Sequence, residues 1–404
     1  MKPRTLEPFV QKFLTTHRKM VFLSGPRQVG KTTLARACGR SHRQTLYFNW
    51  DILTDQRRLA RNPYFFEEAD RTGDDLVLFD EIHKYARWKN YLKGAFDKYR
   101  EDFLFLVTGS GRLDLYAKGG DSLLGRYLPL PLFPFTLSEL HGRFVPPVEF
   151  RAAMVDGFPG TPGAQRDYRA LSVFGGFPEP LTKGEDAFAE VWRRQRRTLL
   201  VREDIRDATR IRELSLLELL THLVADRVGS PLSVNSLRED LGTAFETARD
   251  WLETLARFYF LFKVPPFAAS LGRALRKEPK VYLYDWSELD DAGRRFENLV
   301  ACHLFKAVRT WTAIGAGSFD LHYLRDKEKR EVDFVVTERR RPVCLIEAKL
   351  GETELSPHLL HYQEKLGLPV VIQVVDRSGV ERKLRRGDRV QWVVSADRWL
   401  CSVP

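Results

Sequence analysis

The chain has 404 residues, of which 43% are hydrophobic and 29% charged, and its formal net charge is +11. This length is too great for one ordinary hydrophobic core, so the composition predicts a globular protein of two or three domains. No apolar stretch is as long as a membrane span, which argues against a membrane partner. The excess of lysine and arginine favours a polyanionic partner such as nucleic acid, although such a charge can also serve solubility alone.

Four cysteines stand singly along the chain, at Cys38, Cys302, Cys344 and Cys401. Because no two of them have the Cys-x-x-Cys spacing, we expect neither a zinc site nor a disulfide framework. The charged, proline-containing residues 1–10 lack the apolar core of a signal peptide. Both observations predict a cytoplasmic protein.

The first motif of the chain joins an apolar run to a helix-like segment. Residues 20–23 fit a short buried parallel strand, and residues 32–38 have the composition of a helix. Between them, residues 25–33 match the phosphate-binding pattern G-x-x-x-x-G-K-[S/T] at every fixed position, which disfavours a chance glycine turn. Strand, loop and helix direct backbone N–H groups at one site for the phosphates of ATP. The predicted ATP-binding residues of this loop are Gly25, Pro26, Arg27, Gln28, Val29, Gly30, Lys31, Thr32 and Thr33.

A second apolar run ends in two acidic residues. Residues 76–79 predict a buried strand that is followed by Asp80 and Glu81, the Walker B pattern. In that arrangement Lys31 contacts the β- and γ-phosphates, while Thr32 and Asp80 hold Mg²⁺. Glu81 then orients or deprotonates the attacking water. The alternative is a buried strand that ends in two solvated acids.

Two more strands complete the predicted sheet. Residues 103–107 predict a buried strand, which is followed by the small polar residues Thr108 and Ser110. Either of these can hydrogen-bond to the γ-phosphate, and a simple turn after the strand is the alternative. Residues 127–131 contain two prolines, which place this strand at the edge of the sheet. Arg126 precedes it and is a candidate arginine finger for the nucleotide of a neighbouring subunit. A structural or solvated arginine is the alternative interpretation.

These motifs, in this order, resemble the AAA+-type prokaryotic ATPases that carry an AAA_14 domain followed by a DUF4143 region. The resemblance implies an AAA+-like fold, hydrolysis of ATP with Mg²⁺ and assembly into a homo-oligomer. One departure is His83, where the family pattern has glutamine. The resemblance rests on the phosphate-binding loop and on residues 80–84, 108–110, 125–126, 134–135, 138–140, 175–179 and 202–205.

The middle of the chain predicts a linker and a helical module. Residues 157–163 are rich in glycine and proline, and residues 192–210 form a basic helical stretch that either contacts phosphates or pairs with nearby acids. Residues 214–264 then read as three helices followed by a strand, the layout of a winged helix-turn-helix. Acidic residues on the third helix are poor for DNA contact, so packing against protein, including a partner protein, is the alternative to DNA binding.

The last third of the chain carries a second set of charged residues. Glu347 and Lys349 lie two apart on one predicted strand and therefore share a face. Asp333 lies on the preceding strand, Glu297 can join from a helix, and Gln363 can approach from another helix. This pattern resembles the PD-(D/E)xK nuclease core, in which the residues matching Asp333, Glu347 and Lys349 are catalytic.

That resemblance implies a metal site. The predicted ligands of Mg²⁺, or of Mn²⁺, are the carboxylates of Glu297, Asp333 and Glu347, and Lys349 would help to activate a metal-bound water. The alternatives are an exposed hairpin with ordinary charges, or an inherited nuclease fold that no longer cuts.

The sequence therefore predicts an α/β protein with a P-loop NTPase (AAA+-like) parallel sheet, a winged-helix module and a restriction-endonuclease-like domain. The expected boundaries are 1–165 for the ATPase, 166–210 for a helical linker, 211–275 for the winged-helix-like module and 276–404 for the nuclease-like domain. The leading hypothesis is an ATPase that acts on DNA. The alternatives are an ATP-controlled signalling switch with an inactive nuclease-like domain, and a DNA-remodelling motor that does not cut.

Overall fold

The computed structural model of the chain describes residues 2–68, 73–109, 123–268 and 278–404. The chain divides into two compact units. The first comprises residues 1–133 with 257–259, and the second comprises residues 134–256 with 260–404. Ser110, a predicted ATP-binding residue, lies outside the described residues.

A parallel sheet with helices forms the first unit. Every residue of the strands that precede the phosphate-binding loop and Asp80 is buried, as expected for the centre of a parallel sheet. The elements of this unit are β-strands β1 (Met20–Ser24), β2 (Thr45–Asn49), β3 (Asp75–Asp80), β4 (Phe103–Thr108) and β5 (Tyr127–Pro131), and helices α1 (Glu7–Thr15), α2 (Lys31–Gly39), α3 (Leu53–Arg61) and α4 (Trp88–Tyr99).

The order of the five strands is β2–β3–β4–β1–β5, and all neighbouring pairs are parallel. β4 therefore lies between the two Walker strands, β1 and β3, as predicted. The proline-containing β5 is an edge strand, which confirms that prediction also. Because the strands are parallel, the residues that follow their carboxyl ends meet at one edge of the sheet, and that edge is where ligands bind in such folds.

Aromatic side chains dominate the core on one face of this sheet. Phe48, Phe79 and Phe105 come from three adjacent strands and pack with residues of α4 and of the 65–68 turn. Ring centroids of Phe48 and Phe79 are 5.8 Å apart with the rings edge to face, a favourable arrangement for aromatic pairs. This packing fixes the ends of β2 and β3, from which site residues project.

Helices begin the second unit. Three helices followed by one strand, Leu261–Val264, occupy the stretch for which a winged helix is predicted, so the predicted element order is confirmed. The antiparallel partner of that strand, Lys280–Leu283, lies beyond the predicted module. The elements are α5 (Leu137–Leu140), α6 (Pro147–Asp156), α7 (Ala164–Phe174), α8 (Pro178–Lys183), α9 (Asp186–Leu199), a π-helical turn (Leu200–Ile205), α10 (Arg206–Ala208), α11 (Leu214–Ala225), α12 (Val234–Leu241), α13 (Phe245–Arg257), β6 (Leu261–Val264) and β7 (Lys280–Leu283).

A six-stranded mixed sheet, separate from the first, completes the second unit. Its order is β12–β13–β11–β10–β9–β8. β10, β11 and β13 run parallel, and β8, β9 and β12 pair antiparallel with their neighbours. The elements are α14 (Ala292–Ala313), β8 (Phe319–Arg325), β9 (Glu331–Glu338), β10 (Arg341–Lys349), α15 (Pro357–Leu366), β11 (Val370–Val375), β12 (Glu381–Arg386), β13 (Arg389–Ser395) and α16 (Ala396–Trp399).

The arginines of α9 form ion pairs with acidic side chains of the same unit. Arg196 and Arg197 both donate to the buried carboxylate of Glu288, at 3.0 and 2.8 Å. Arg193 and Arg194 pair with Glu190 one turn earlier. The acids predicted to pair with these arginines lie later in the sequence, and the long-range partner Glu288 was not predicted.

Within the described residues, no helix combines the length and the apolar character that crossing a membrane requires.

Candidate functional site

The phosphate-binding loop depends on glycine at both ends. Gly25 has a φ of +144°, and a Cβ at this position would lie 2.2 Å from the carbonyl oxygen of Leu132. Gly30 has a φ of +99° and directly precedes α2. Only glycine fits a positive φ together with so close a backbone approach. The loop therefore runs from the end of β1 into the amino terminus of α2, as the motif predicts.

Lys31 lies inside this loop. Its side chain is buried, and Nζ donates to the carbonyl oxygens of Gly25 at 2.9 Å and Pro26 at 2.7 Å. An ammonium held at the mouth of a glycine loop places a fixed positive charge where phosphates would bind.

Asp80 is the centre of the polar cluster at the edge of the sheet. It is buried, and its carboxylate accepts hydrogen bonds from the hydroxyls of Thr32 at 2.9 Å, Tyr47 at 2.8 Å and Thr108. These donors come from α2, β2 and β4, so three elements converge on one carboxylate. The contact between Thr32 and Asp80 joins the two residues predicted to hold Mg²⁺.

Sequence reasoning did not include Tyr47. Burial is the largest cause that raises the pKa of its hydroxyl, and the bond to Asp80 adds to it, while Arg36, 4.4 Å from the ring, acts in the opposite direction. The hydroxyl therefore stays protonated and donates. The sequence contains one indication of this role: side chains alternate between the two faces of β2, so Tyr47 and Asn49 lie on the same face.

Glu81 leaves the strand in a left-handed conformation, with a φ of +55°. Its backbone N–H donates to the Thr108 carbonyl at 3.1 Å, and its carboxylate lies 3.5 Å from His83 Nε2 and 3.7 Å from Lys84 Nζ. Burial raises the pKa of Glu81, against the charges of Lys31 and Lys84. A non-glycine residue at positive φ is uncommon and often marks a functional site.

The residues at this edge fit a triphosphate with Mg²⁺. The hydroxyl of Thr32 and the carboxylate of Asp80 are the hard oxygen donors that Mg²⁺ prefers, and they lie 2.9 Å apart. Lys31 and the backbone of Gly25–Gly30 would hold the phosphates.

Arg126, the candidate finger, pairs within its own chain. Its Nε and Nη2 donate to the Asp97 carboxylate of α4 at 2.6 and 2.9 Å. The guanidinium is partly exposed, and the carboxylate that it contacts also lies at the surface. This geometry is that of a structural arginine, and its role toward a neighbouring subunit stays a prediction.

The second predicted cluster forms where β9, β10 and α14 meet. Lys349 Nζ lies 3.1 Å from Glu347, and the Glu347 carboxylate is 3.4 Å from the backbone nitrogen of Asp333. Asp333 in turn accepts from the backbone N–H of Ala348 at 3.0 Å. The adjacency of these three residues was predicted from the strand pattern. Gln363 turns elsewhere and donates to the carbonyl of Val390.

Lys280 of β7 stands among these carboxylates and was not predicted. Its Nζ lies 2.7 Å from Glu331, 3.2 Å from Glu297 and 3.3 Å from Asp333, and the side chain is only 1% exposed. Tyr282, two residues on, also donates to Glu297, at 2.7 Å. Lys280 precedes Asp333 by 53 residues, so no local motif connects them.

Burial changes the proton affinity of this cluster. It raises the pKa of Glu297 to about 7 and that of Glu347 to about 8, and the charge of Asp333 adds to both effects. Burial acts to lower the pKa of Lys280, but Tyr282 and the neighbouring carboxylates raise it well above its ordinary value. Lys280 is therefore charged at neutral pH.

A divalent cation does not fit this cluster as it stands, because the Lys280 ammonium already contacts carboxylates that would hold the metal. Among the described residues, no three histidine, cysteine, aspartate or glutamate side chains are arranged to bind a metal ion. Glu297, Asp333 and Glu347 as metal ligands therefore stay a prediction.

Family models match three consecutive parts of the chain. Residues 17–141 match the AAA domain AAA_14, residues 165–289 match the domain of unknown function DUF8612, and residues 292–397 match the domain of unknown function DUF4143. The first match contains the phosphate-binding loop and Asp80, and the last contains Asp333, Glu347 and Lys349.

Curated relatives include an uncharacterized protein of Mycobacterium tuberculosis that is 28% identical over 267 residues, 66% of this chain and 54% of the relative. The chain thus spans about half the length of that relative. An uncharacterized protein of Methanocaldococcus jannaschii is 24% identical over 419 residues, 93% of this chain and 85% of the relative.

Solved structures with some likeness include AMPPCP-bound DnaA from Aquifex aeolicus, at 13% identity and a TM-score of 0.30, covering 62% of this chain and 85% of DnaA. The STAND protein with a tetratricopeptide repeat sensor from Pyrococcus horikoshii is 13% identical with a TM-score of 0.28, covering 76% of this chain and 47% of that protein. At such TM-scores no conclusion about this chain follows from the likeness.

The loop, the Walker B acids and the parallel sheet agree with the domain match at the amino-terminal end, and such a domain indicates a nucleotide-dependent activity. The chain therefore carries an AAA domain of the AAA_14 family at residues 17–141, followed by a DUF4143 domain at residues 292–397.

Proposed function

We propose that this protein hydrolyses ATP with Mg²⁺ at the edge of the parallel sheet and couples the nucleotide cycle to an action on DNA. The observation that carries the ATPase part is the convergence of Thr32 and Thr108 on the buried carboxylate of Asp80, beside the loop that holds Lys31. The positive charge of Lys31 and the oxygen atoms of Thr32 and Asp80 are thus held close together, as phosphoryl transfer requires.

Each residue has a distinct task in this proposal. The loop amides and Lys31 bind the β- and γ-phosphates, so Lys31 exchanges its two carbonyl partners for phosphate oxygens. Thr32 and Asp80 hold Mg²⁺, which neutralises charge on the phosphates when bound. Tyr47 and Thr108 keep the Asp80 carboxylate oriented through their hydroxyl hydrogen bonds.

Glu81 is the proposed base. Its burial raises its pKa, which brings its proton affinity closer to that of a general base working near neutral pH. His83 and Lys84 lie on the same side of the carboxylate and limit its orientation. Glu81 then orients the attacking water and accepts its proton. The water oxygen bonds to the γ-phosphorus as the bond from that phosphorus to the bridging oxygen breaks, and ADP leaves with that oxygen.

The test is steady-state release of phosphate from Mg·ATP by the wild-type protein and by Lys31→Ala. We expect the substitution to reduce hydrolysis to background, because the fixed charge at the loop is lost. Arg57→Ala, which removes an exposed charge from α3, is the matched control and should hydrolyse ATP at the wild-type rate. Equal rates for Lys31→Ala and wild type would contradict the proposed site.

DNA as partner is supported by the net charge of +11 and by the edge strand β12. β12 exposes Arg385 and Arg386 at its end, while Lys383 lies over the ring of Trp392. Basic residues on an edge strand also prevent edge-to-edge pairing of sheets, so the charge alone does not decide between the two roles.

A comparison of ATPase rates decides this point. We expect duplex, single-stranded or branched DNA to stimulate hydrolysis. The double variant Arg385→Ala/Arg386→Ala should weaken that stimulation and make it less dependent on salt, because fewer counterions are released from the phosphates. Arg57→Ala/Arg61→Ala removes the same charge from α3 and is the control. Indifference of the ATPase to all three DNAs favours the alternative function, an ATP-controlled signalling switch with a protein partner.

The remaining predictions belong to the same proposal. They are the winged-helix assignment of residues 211–275 and assembly into a homo-oligomer with Arg126 as the finger. Metal-dependent cleavage at Asp333, Glu347 and Lys349 is a separate prediction, which the contacts of Lys280 with Glu297 and Asp333 disfavour. Cleavage has a direct test: wild type and Asp333→Ala are incubated with the same DNAs and Mg²⁺ or Mn²⁺. If both leave the DNA equally intact, the protein is a non-cutting ATPase.

A further inference from the structure

The cluster of β9, β10 and α14 contains its own cation. Glu297, Glu331 and Asp333 come from two different elements, and each of their carboxylates lies within 3.3 Å of Lys280 Nζ. The lysine side chain is 1% exposed, so this ammonium has little access to water. A buried ammonium is stable only when acceptors surround it, and here three carboxylates do so.

The backbone around Lys280 is fixed by independent contacts. The side-chain amide of Asn298 on α14 accepts from the backbone N–H of Leu283 at 2.8 Å and donates to its carbonyl at 2.7 Å. These bonds fasten the end of β7 to the helix turn that bears Glu297. Tyr282, fully buried, adds a hydroxyl bond to the same glutamate. The position of the ammonium is therefore built into the strand.

Gly229 closes the cluster on the Glu297 side. Its φ is +79°, and a Cβ there would lie 3.0 Å from Glu297 Oε2. Its backbone N–H donates to the carbonyl of Val281 in β7, at 3.2 Å. Only a residue without a side chain lets this backbone cover the carboxylate.

A divalent cation bound by the same carboxylate oxygens would lie within a few ångströms of this ammonium, and like charges repel strongly at such distances inside a protein. We propose that Lys280 serves as the resident cation of the Glu297–Asp333 cluster in place of a divalent metal, and that vacating this position creates a metal site. The proposal does not depend on ATP hydrolysis.

The test is Mn²⁺ binding by the nucleotide-free, full-length protein, followed as loss of the free Mn²⁺ electron paramagnetic resonance signal. Five proteins are compared: wild type, Asp333→Asn, Lys280→Met, Lys280→Met/Asp333→Asn, and the matched control Lys349→Met. Methionine keeps most of the side-chain volume and removes the charge. Lys349→Met removes the neighbouring lysine of the same cluster and leaves Lys280 in place.

Up to roughly 1 mM Mn²⁺, the range of weak carboxylate sites, we expect wild type to bind no more Mn²⁺ than Asp333→Asn, and Lys349→Met to bind no more than wild type. Lys280→Met should bind Mn²⁺ at least about ten-fold more tightly, and Asp333→Asn should abolish that gain. Mn²⁺ should also raise the melting temperature of Lys280→Met but not of wild type, because a ligand stabilises only the state that binds it.

Two results overturn the proposal. One is wild-type binding of Mn²⁺ that Asp333→Asn removes, because the ammonium would then not stand in place of the metal. The other is a folded Lys280→Met that gains no site. If Lys280→Met fails to fold with or without Mn²⁺, the test is the comparison of wild type with Asp333→Asn. Equal binding of Mn²⁺ by these two proteins then supports the proposal.

Discussion

At the scale of single residues, Asp80 organises the ATP site because three hydroxyls from three elements bind its carboxylate. Of these, Thr32 and Thr108 belong to motifs that the sequence displays, whereas Tyr47 does not. Its role depends on β2 lying beside β3, a tertiary fact that no local pattern encodes. The motif residues could be predicted because their spacing is fixed by one loop or one strand end.

Tyr47→Phe provides a prediction at this scale. Loss of the hydroxyl leaves Asp80 less firmly oriented, so we expect the apparent affinity for Mg²⁺ in ATP hydrolysis to fall about ten-fold. The measurement is the ATPase rate as a function of Mg²⁺ concentration. Tyr85→Phe, which removes a hydroxyl from a ring stacked on Trp50, should leave the Mg²⁺ dependence unchanged. An unchanged Tyr47→Phe would mean that the hydroxyl does not orient Asp80.

At the scale of elements, the sequence of β5 predicts where this strand lies in the sheet but does not predict the role of Arg126 beside it. Its two prolines predicted an edge strand, and the sheet order confirms it. Arg126, which precedes β5, nevertheless pairs with Asp97 of α4. An edge position leaves the arginine near the surface, but pairing within the chain depends on where α4 lies, and the sequence does not show this.

Arg126→Ala and Asp97→Asn together separate the two roles of the arginine. If Arg126 acts on a neighbouring subunit's nucleotide, Arg126→Ala should lower the ATPase rate at least about 10³-fold, while Asp97→Asn, which removes only the carboxylate partner, should retain activity. The measurement is phosphate release at a protein concentration that saturates assembly. A similar small loss in both variants would assign Arg126 a structural role.

Lys306 and Glu139 provide a second prediction for elements, because they join α14 to α5 as a buried ion pair. Lys306→Met leaves the Glu139 carboxylate buried without its ammonium, so we expect a loss of about 3–5 kcal/mol in the free energy of unfolding. The exposed pair of Arg202 and Glu218 is the control, and Arg202→Met should cost much less, because solvent screens an exposed ion pair. Chemical denaturation measures both, and comparable losses would contradict the distinction.

At the scale of the whole molecule, the sequence predicted the α/β class, the parallel sheet with its phosphate-binding loop, and the pairing of the strands that bear Asp333 and Glu347. These features follow from short apolar runs and fixed spacings. The six-stranded order and the position of Lys280 did not follow, because they join strands far apart in the chain. Long-range electrostatic partners such as Glu288 were missed for the same reason.

The pH dependence of stability tests the second cluster. The folded state raises the pKa of Glu347 from its ordinary 4.5 to about 8, so between these values the folded protein binds more protons than the unfolded one. Its contribution to stability is therefore present at low pH and is lost as pH rises toward about 8. We expect Glu347→Gln to reduce this decline by on the order of 1–3 kcal/mol. Thermal unfolding at several pH values measures it, and parallel pH profiles for wild type and variant would contradict the raised pKa.

The most direct test of the ATPase claim combines binding and hydrolysis in Glu81→Gln. Equilibrium binding of Mg·ATP and single-turnover hydrolysis are measured for this variant and wild type. We expect Glu81→Gln to bind ATP as tightly as wild type and to hydrolyse it at least about 100-fold more slowly, because the base is removed while the phosphate contacts remain. Hydrolysis at the wild-type rate by Glu81→Gln, or a wild-type protein that neither binds nor hydrolyses Mg·ATP, would contradict it.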